Sequence, residues 1–176
     1  MPGPVFLTGD RVELRTVERE DREFIARHRN NPAFRRVLGD ARPMNLSAAT
    51  DYFESVVVGD DGETFLICAD DRTVGLCFFY DLDETNGSAE VGYWITAEAQ
   101  GNGYATDAAR TLARYAFDER RLVKLTARVR EPNEASIRVL EKLGFREEGV
   151  LREQEFVDGR RVDLRLFGLL ASELER

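Results

Sequence analysis

Gln100, Gly101, Asn102, Gly103, Tyr104 and Ala105 form the segment whose residue types and spacing speak most directly of chemistry. Two glycines let the backbone turn so that several N–H groups converge on one spot. The apolar stripe that begins at Ala105 marks a helix whose N-terminus adds partial positive charge there. The result is a cradle for a pyrophosphate made of main-chain donors, which can work even in a chain of formal net charge −8. Two other anion loops do not fit. A dinucleotide fingerprint needs a third glycine where Thr106 stands, and a P-loop needs Gly-Lys-Ser/Thr after four spacer residues. A plain strand-to-helix turn remains the structural reading of the segment. Elsewhere, Glu90 is the only carboxylate in the middle of an otherwise apolar stretch over 88–95. Asn133 and Ser136 stand at the start of a later helix, where both are also ordinary capping residues. His28 is the sole histidine, so neither a metal site nor a histidine-based triad can be built around it, and no metal is expected. Cys68 and Cys77 fall on neighbouring strands outside any C-x-x-C pattern and read as reduced core thiols.

The loop needs a strand before it and a helix after it, and the pattern supplies both. Over 88–95, period-2 alternation places Glu90, Gly92 and Trp94 on one face and Val91, Tyr93 and Ile95 on the other. Behind the loop, Ala105, Ala108, Ala109, Leu112, Ala113, Ala116 and Phe117 form one helical stripe of mostly small residues, suited to close packing on a sheet. Upstream, alternation over 11–17 predicts a strand, and helices follow over 18–29 and 47–58, the second capped by Asn45 or Ser47. Stretches 64–69 and 73–82 predict a hairpin around Asp70, Asp71 and Arg72. Downstream come a strand over 122–130, a helix opened by Pro132 and Asn133 and stopped by Gly144, and strands over 145–157 and 161–170 joined by Asp158-Gly159. The fold class is α+β, a mixed sheet of about seven strands in the order β-αα-βββ-α-β-α-ββ. With no repeat or linker composition, residues 1–176 read as a single domain.

Hydrophobic content of 43% with 33% charged residues is the profile of a soluble globular chain, and no apolar run approaches the ~20 residues of a membrane span. No membrane partner and a cytoplasmic location are expected, since the N-terminal stretch lacks a basic segment followed by an apolar core. The negative net charge argues against a nucleic-acid partner. A cationic small partner fits better, although arginine-rich basic content and paired aspartates equally suit a salt-adapted or GC-rich source.

The glycine segment resembles the Q-x-x-G-x-G/A signature of the GNAT superfamily of acetyltransferases, with Gln100, Gly103 and Ala105 at its defining positions. Residues 90–95 resemble the family's preceding strand, and Asn133 through Phe145 its later helix-to-strand element, so the likeness spans nearly the whole chain. It implies a GNAT fold with helices on both faces, a splayed strand pair holding acetyl-CoA as cosubstrate, and an N-acetyltransferase acting by direct transfer in a ternary complex. By resemblance, Gln100 through Ala105 bind the pyrophosphate, Trp94, Ile95 and Thr96 pair with pantetheine, and Asn133 binds its amide. Glu90 would steer the amine proton away, directly or through water. The helix position that carries an acidic tyrosine in many members is Leu140 here, and Ser136, one turn earlier, takes the thiolate-bonding role of the RimJ/RimL-like branch. That branch implies a peptide or protein N-terminal α-amine as acceptor. Polyamine or aminoglycoside acetylation remains the alternative, as does a non-catalytic acyl-CoA sensor. Asp163 reads either as an acid facing the acceptor or as a solvent-facing strand acid, and Tyr93 and Trp94 either as cleft lining or as core. The closing hairpin, with Phe156, Leu164, Leu166 and Phe167, offers either a dimer surface or the end of the core, leaving monomer or homodimer.

Overall fold

Alternating apolar positions demand a sheet, and the helical stripes demand layers laid on it. The computed structural model describes residues 2–38, 42–57 and 62–175. In chain order these form β1 (Val5–Thr8), β2 (Glu13–Thr16), a 3-10 turn (Arg19–Asp21), α1 (Arg22–Arg29), α2 (Pro32–Leu38) and α3 (Leu46–Tyr52), which runs into a π-helical turn (Phe53–Val57). There follow β3 (Glu63–Ala69), β4 (Arg72–Asp83), β5 (Ser88–Ile95), a 3-10 turn (Ala97–Ala99), α4 (Tyr104–Asp118), β6 (Lys124–Arg130), α5 (Glu134–Lys142), β7 (Arg146–Val157) and β8 (Arg160–Leu170). The strands make one sheet in the order β1-β2-β3-β4-β5-β6-β8-β7.

Among the described residues there are eight strands where about seven are expected. The additional one, β1, is four residues long and mostly exposed, so it carries no alternation to read. It is held by pairing with β2 and by Phe6, which stacks on Phe65 at 5.5 Å. The second unforeseen element, α2, has an ordinary start: Pro32 takes the first helical position and the Asn31 side chain accepts from the Ala33 N–H at 3.0 Å. Of the two expected caps for α3, Asn45 is the one used, accepting from the Ala48 N–H at 2.8 Å. Val58, the expected end of that helix, lies outside the described residues.

Alternation sorts the core into two layers. Phe65, Ile67, Ala89, Val91 and Ile95 face α4 and α5, whose Ala108, Ala113, Ala116, Ile137 and Leu140 are buried against them. Leu66, Cys68, Leu76 and Trp94 face the other way, against Ile25 of α1, Phe34 of α2 and Phe53. Helices therefore cover both faces. Cys68 and Cys77 are free and buried, and burial pushes both thiols up from their ordinary range. On the closing hairpin Leu164 and Phe167 complete the core while Phe156 is 65% exposed.

One junction in the sheet differs from the rest. β5 and β6 are its parallel neighbours, and they pair only through Ser88, Ala89 and Glu90 against Lys124, Leu125 and Thr126. Beyond that point β5 stays with β4 as far as Ile95, while β6 stays with β8 along its whole length. The two halves of the sheet therefore separate, leaving a wedge whose walls are the open edges of β5 and β6. No helix among the described residues is long and apolar enough to cross a membrane.

Candidate active site

The wedge and the glycine loop meet at the end of β5. Gly101 and Gly103 hold φ of 82° and 80°, left-handed values that L side chains rarely adopt, and Gly103 is the N-cap of α4. The first intrahelical bond is Asp107 N–H to the Gly103 carbonyl at 3.1 Å, so the amides of Tyr104, Ala105 and Thr106 lie ahead of the ladder. A side chain placed at Gly101 would meet open space, and at Gly103 only the Arg11 guanidinium at 3.9 Å, so the loop is an open concavity. Asn102 fastens it by donating to the carbonyls of Ala99 (3.0 Å) and Gln100 (3.3 Å), and Gln100 ties it to β5 by donating to the Ile95 carbonyl at 3.3 Å. This donor set fits a pyrophosphate.

Two residues that sequence reasoning passed over complete this wall. Asp107, buried in the first turn of α4, accepts from the N–H groups of Asp10 (3.2 Å), Arg11 (2.7 Å) and Val12 (3.0 Å). It thereby clamps the start of β2 to the helix. The Arg11 side chain donates to the Asn102 carbonyl at 3.2 Å, placing a cation at the rim of the cradle. The helix also carries Arg110, Arg114 and Asp118, so its sequence alone does not single Asp107 out.

Along β5, the Thr96 N–H bonds the Val74 carbonyl at 2.8 Å, so by strand alternation Trp94 and Thr96 turn their amides toward β4. Tyr93 and Ile95 turn theirs toward the wedge. Of Trp94, Ile95 and Thr96, then, Ile95 presents backbone to an incoming chain, with Tyr93 as its companion. The Trp94 side chain lies on the opposite face, stacked with Phe24 at 5.6 Å and near His28 at 5.7 Å. His28 is half-buried among Phe24, Phe34 and Trp94, and burial lowers its pKa.

A cleft of about 320 Å³ opens through the wedge, bringing Glu90, Trp94, Asn133 and Ser136 together. Glu90 is 9% exposed, and its carboxylate has two side-chain donors. It accepts from the Tyr80 hydroxyl and from Arg128 Nε at 2.8 Å, with its second oxygen 2.7 Å from the same Nε. Burial, followed by the Glu90 contact, pushes Tyr80 up to about 12, and the bonds to Glu90 and Tyr80 hold Arg128 above its ordinary value. Across the cleft, Asn133 caps α5 by accepting from the Ser136 N–H at 3.2 Å. Ser136 Oγ donates to Tyr93 Oη at 3.4 Å, and that hydroxyl donates to the Ser136 carbonyl at 3.3 Å. Burial pushes Tyr93 up to about 12, so it stays protonated at any working pH. Tyr93 thus brings a phenol into the cleft beside Ser136, where Leu140 offers none.

Asp163 does not line the cleft; its Oδ1 accepts from the Glu153 N–H at 2.7 Å, where the backbone of β7 turns through a positive φ of 50°. It holds a strand irregularity. No group of three His, Cys, Asp or Glu residues that could hold a metal occurs among the described residues.

Comparison with known proteins agrees with this architecture. Residues 11–146 match the family model described as an acetyltransferase (GNAT) domain. An uncharacterized N-acetyltransferase p20 of Bacillus licheniformis is 30% identical over 169 residues, covering 93% of this chain and 95% of its own. Spermidine N-acetyltransferase from Vibrio cholerae, solved with CoA and spermine, superposes with a TM-score of 0.87 at 25% identity, over 93% of this chain and 97% of that one. RimJ of Mycobacterium smegmatis, solved with CoA-disulfide, gives 0.81 at 26% identity over 99% and 89%. The chain belongs to the GNAT family of N-acetyltransferases.

Proposed function

We propose that the protein acetylates an α-amine of low basicity, such as a peptide N-terminus, by direct transfer in a ternary complex. The observation that carries this reading is the state of Glu90, already engaged by Tyr80 and Arg128. With its Oε1 taken by Tyr80 and Arg128, Glu90 is reached by an incoming amine through water or at its other oxygen. An α-amine with a pKa near ~8 is about a tenth neutral at pH 7, whereas an amine near ~10.4 needs roughly a hundredfold more help. A water-mediated path to Glu90 asks least of an amine that is already partly neutral.

Acetyl-CoA, the cosubstrate of this family, supplies the thioester whose acyl group the amine attacks. Tyr104, Ala105 and Thr106 amides with Gly101 and Gly103 hold its pyrophosphate, and the Asn133 side-chain amide and the open Ile95 backbone orient the pantetheine. An N–H of the exposed β5 edge, from Tyr93 or Ile95, polarises the thioester carbonyl. As the amine adds, its proton leaves toward Glu90 through water; as the C–S bond breaks, Ser136 Oγ donates toward the sulfur and Tyr93 Oη supports that hydroxyl. Transfer is direct: neither cysteine borders the cleft, and Ser136 Oγ is paired with Tyr93 Oη rather than with a base that would make it a nucleophile.

The Vibrio cholerae neighbour with spermine keeps a second reading, polyamine acetylation. A thiol-release assay with acetyl-CoA on short peptides against spermidine, followed from pH 6 to 9, separates the two. Turnover of peptides at pH 7 with little gain above pH 8.5 is expected. Spermidine turning over faster, with a rate still climbing at pH 9, would replace the α-amine reading. Tight acetyl-CoA binding without turnover of any amine would point to a sensor.

A further inference from the structure

The proton chemistry uses Glu90, Tyr93 and Ser136, yet the cleft holds charge that this chemistry does not need. Among the described residues Arg29, Arg128 and Arg130 line it against Glu90 and Glu155, an excess of one positive charge in a chain of net charge −8. The three arginines are not equivalent. Arg130 binds Glu155 at 3.3 Å, and Arg29 lies over the Tyr52 ring at 4.7 Å. Arg128 stands on β6 directly beside Glu90, and its side chain is 47% exposed although its Nε is fixed by a nearly buried carboxylate. A guanidinium held at Nε is oriented like a pointer. Its remaining N–H donors form a planar fork suited to a second carboxylate, and Tyr80 bonds the same Glu90 carboxylate that holds it.

We propose that Arg128 is a specificity residue that receives a carboxylate of the acceptor. The substrate class is then an amine that carries a carboxylate close to its nitrogen: a free α-amino acid, or a peptide whose first or second residue is acidic. This inference rests on the acceptor-amine reading of the same cleft. Glu90 and Arg128 are in direct contact, so an ammonium nitrogen led toward Glu90 has the guanidinium within a few ångströms. A carboxylate on the amine-bearing residue or on the next one reaches it, while a second ammonium group would meet like charge there. The pair therefore reads both ends of an amino-acid-like head and disfavours a polyamine.

The test is a thiol-release measurement of kcat/KM on matched acceptors: free serine against serinamide, Ser-Asp-led against Ser-Lys-led tetrapeptides, and spermidine, with the wild type, Arg128→Gln and Arg128→Lys. The wild type is expected to favour the carboxylate-bearing member of one pair by tenfold or more, mainly through KM. The serine pair would show it for a free amino acid and the peptide pair for an acidic N-terminus. Arg128→Gln should bring that ratio near one and Arg128→Lys should restore part of it. Because the readout is a ratio between acceptors on the same enzyme, a general loss of folded protein cancels. Turnover with ratios near one, a preference for spermidine, or a ratio unchanged in Arg128→Gln would each overturn the inference and leave acetyl transfer standing. Absence of turnover with every amine, despite bound acetyl-CoA, would overturn the transfer reading and this one with it.

Discussion

The glycine loop and the acceptor cleft occupy neighbouring stretches of one wedge, yet they are made of different materials. The loop is built from main-chain amides placed by backbone geometry, with Gly101 and Gly103 in left-handed conformation and Asn102 tying the turn to itself. The cleft is built from side chains gathered from separate elements: Tyr80 on β4, Glu90 and Tyr93 on β5, Arg128 on β6 and Ser136 on α5. Backbone donors give a site that is indifferent to the rest of the sequence and suited to a constant ligand. Side-chain charge gives a site that a few substitutions can retune, suited to an acceptor that varies between relatives.

The largest effect is expected where the two regions share a foundation. Asp107→Ala would strip the acceptor from three backbone N–H groups, those of Asp10, Arg11 and Val12, which anchor the β1–β2 segment to the first turn of α4. Leaving such partly buried donors unsatisfied costs about 3 kcal/mol of folding stability. Urea denaturation should show a midpoint shift of that size, and an unchanged midpoint would mean that water replaces the carboxylate at little cost.

Next in size is Gly103→Val, which forces a β-branched residue into φ near 80° at the mouth of the cradle. Strain and displaced amides together should weaken acetyl-CoA binding by roughly 100-fold, about 2.7 kcal/mol, in calorimetry. Acceptor KM should stay nearly constant if the loop and cleft are as separable as their construction implies. Equal losses for both ligands would break the comparison.

Ser136→Ala should act the other way round, lowering kcat by roughly 30-fold, the ~2 kcal/mol of a hydrogen bond to a developing charge, with little effect on acetyl-CoA affinity. Tyr93→Phe should cost less. Because Ser136 Oγ bonds Tyr93 Oη at 3.4 Å, the double variant should be no worse than Ser136→Ala alone. Additive losses would show that the two hydroxyls act on separate steps.

The same contrast explains what could be read in the sequence. The glycine loop, the helix behind it and the strand before it announce themselves because their signals are local: positive-φ residues, a small-residue stripe, a two-residue period. β1 escaped because four mostly exposed residues have no period, although Pro32 and Asn31 did offer a start signal for α2. The partners of Glu90 escaped because nothing local joins residue 80, 90 and 128; only the antiparallel register Tyr80 to Glu90 and the parallel register Glu90 to Thr126 bring them together. Asp163 was legible as a charge on a strand but not as the brace of an irregular turn at Glu153 in β7. The resemblance to GNAT enzymes pointed to the glycine loop, whereas Tyr93 beside Ser136 emerges only when β5 and α5 are packed.

The smallest expected effect concerns pH and lies outside both regions, since His28 does not line the cleft but packs in the aromatic cluster beneath Trp94. Burial among Phe24, Phe34 and Trp94 lowers its pKa, with Arg27 adding to the shift and Glu98 opposing it. In the unfolded chain the imidazole takes up a proton near its ordinary 6.5, before the folded form does. Below that pH the unfolded state binds more protons, so stability falls as pH falls and levels off once the depressed folded value is passed. Replacing the ring by an apolar one, His28→Phe, removes this proton uptake while preserving aromatic contact. Thermal melts of the two proteins should differ by a constant amount above pH 7.5, with the variant gaining on the wild type between pH 6.5 and 5. A gap that stays the same from pH 7.5 to 5 would mean that His28 is hydrated well enough to titrate alike in both states, and that the aromatic cluster beneath Trp94 is more open than its ring contacts indicate.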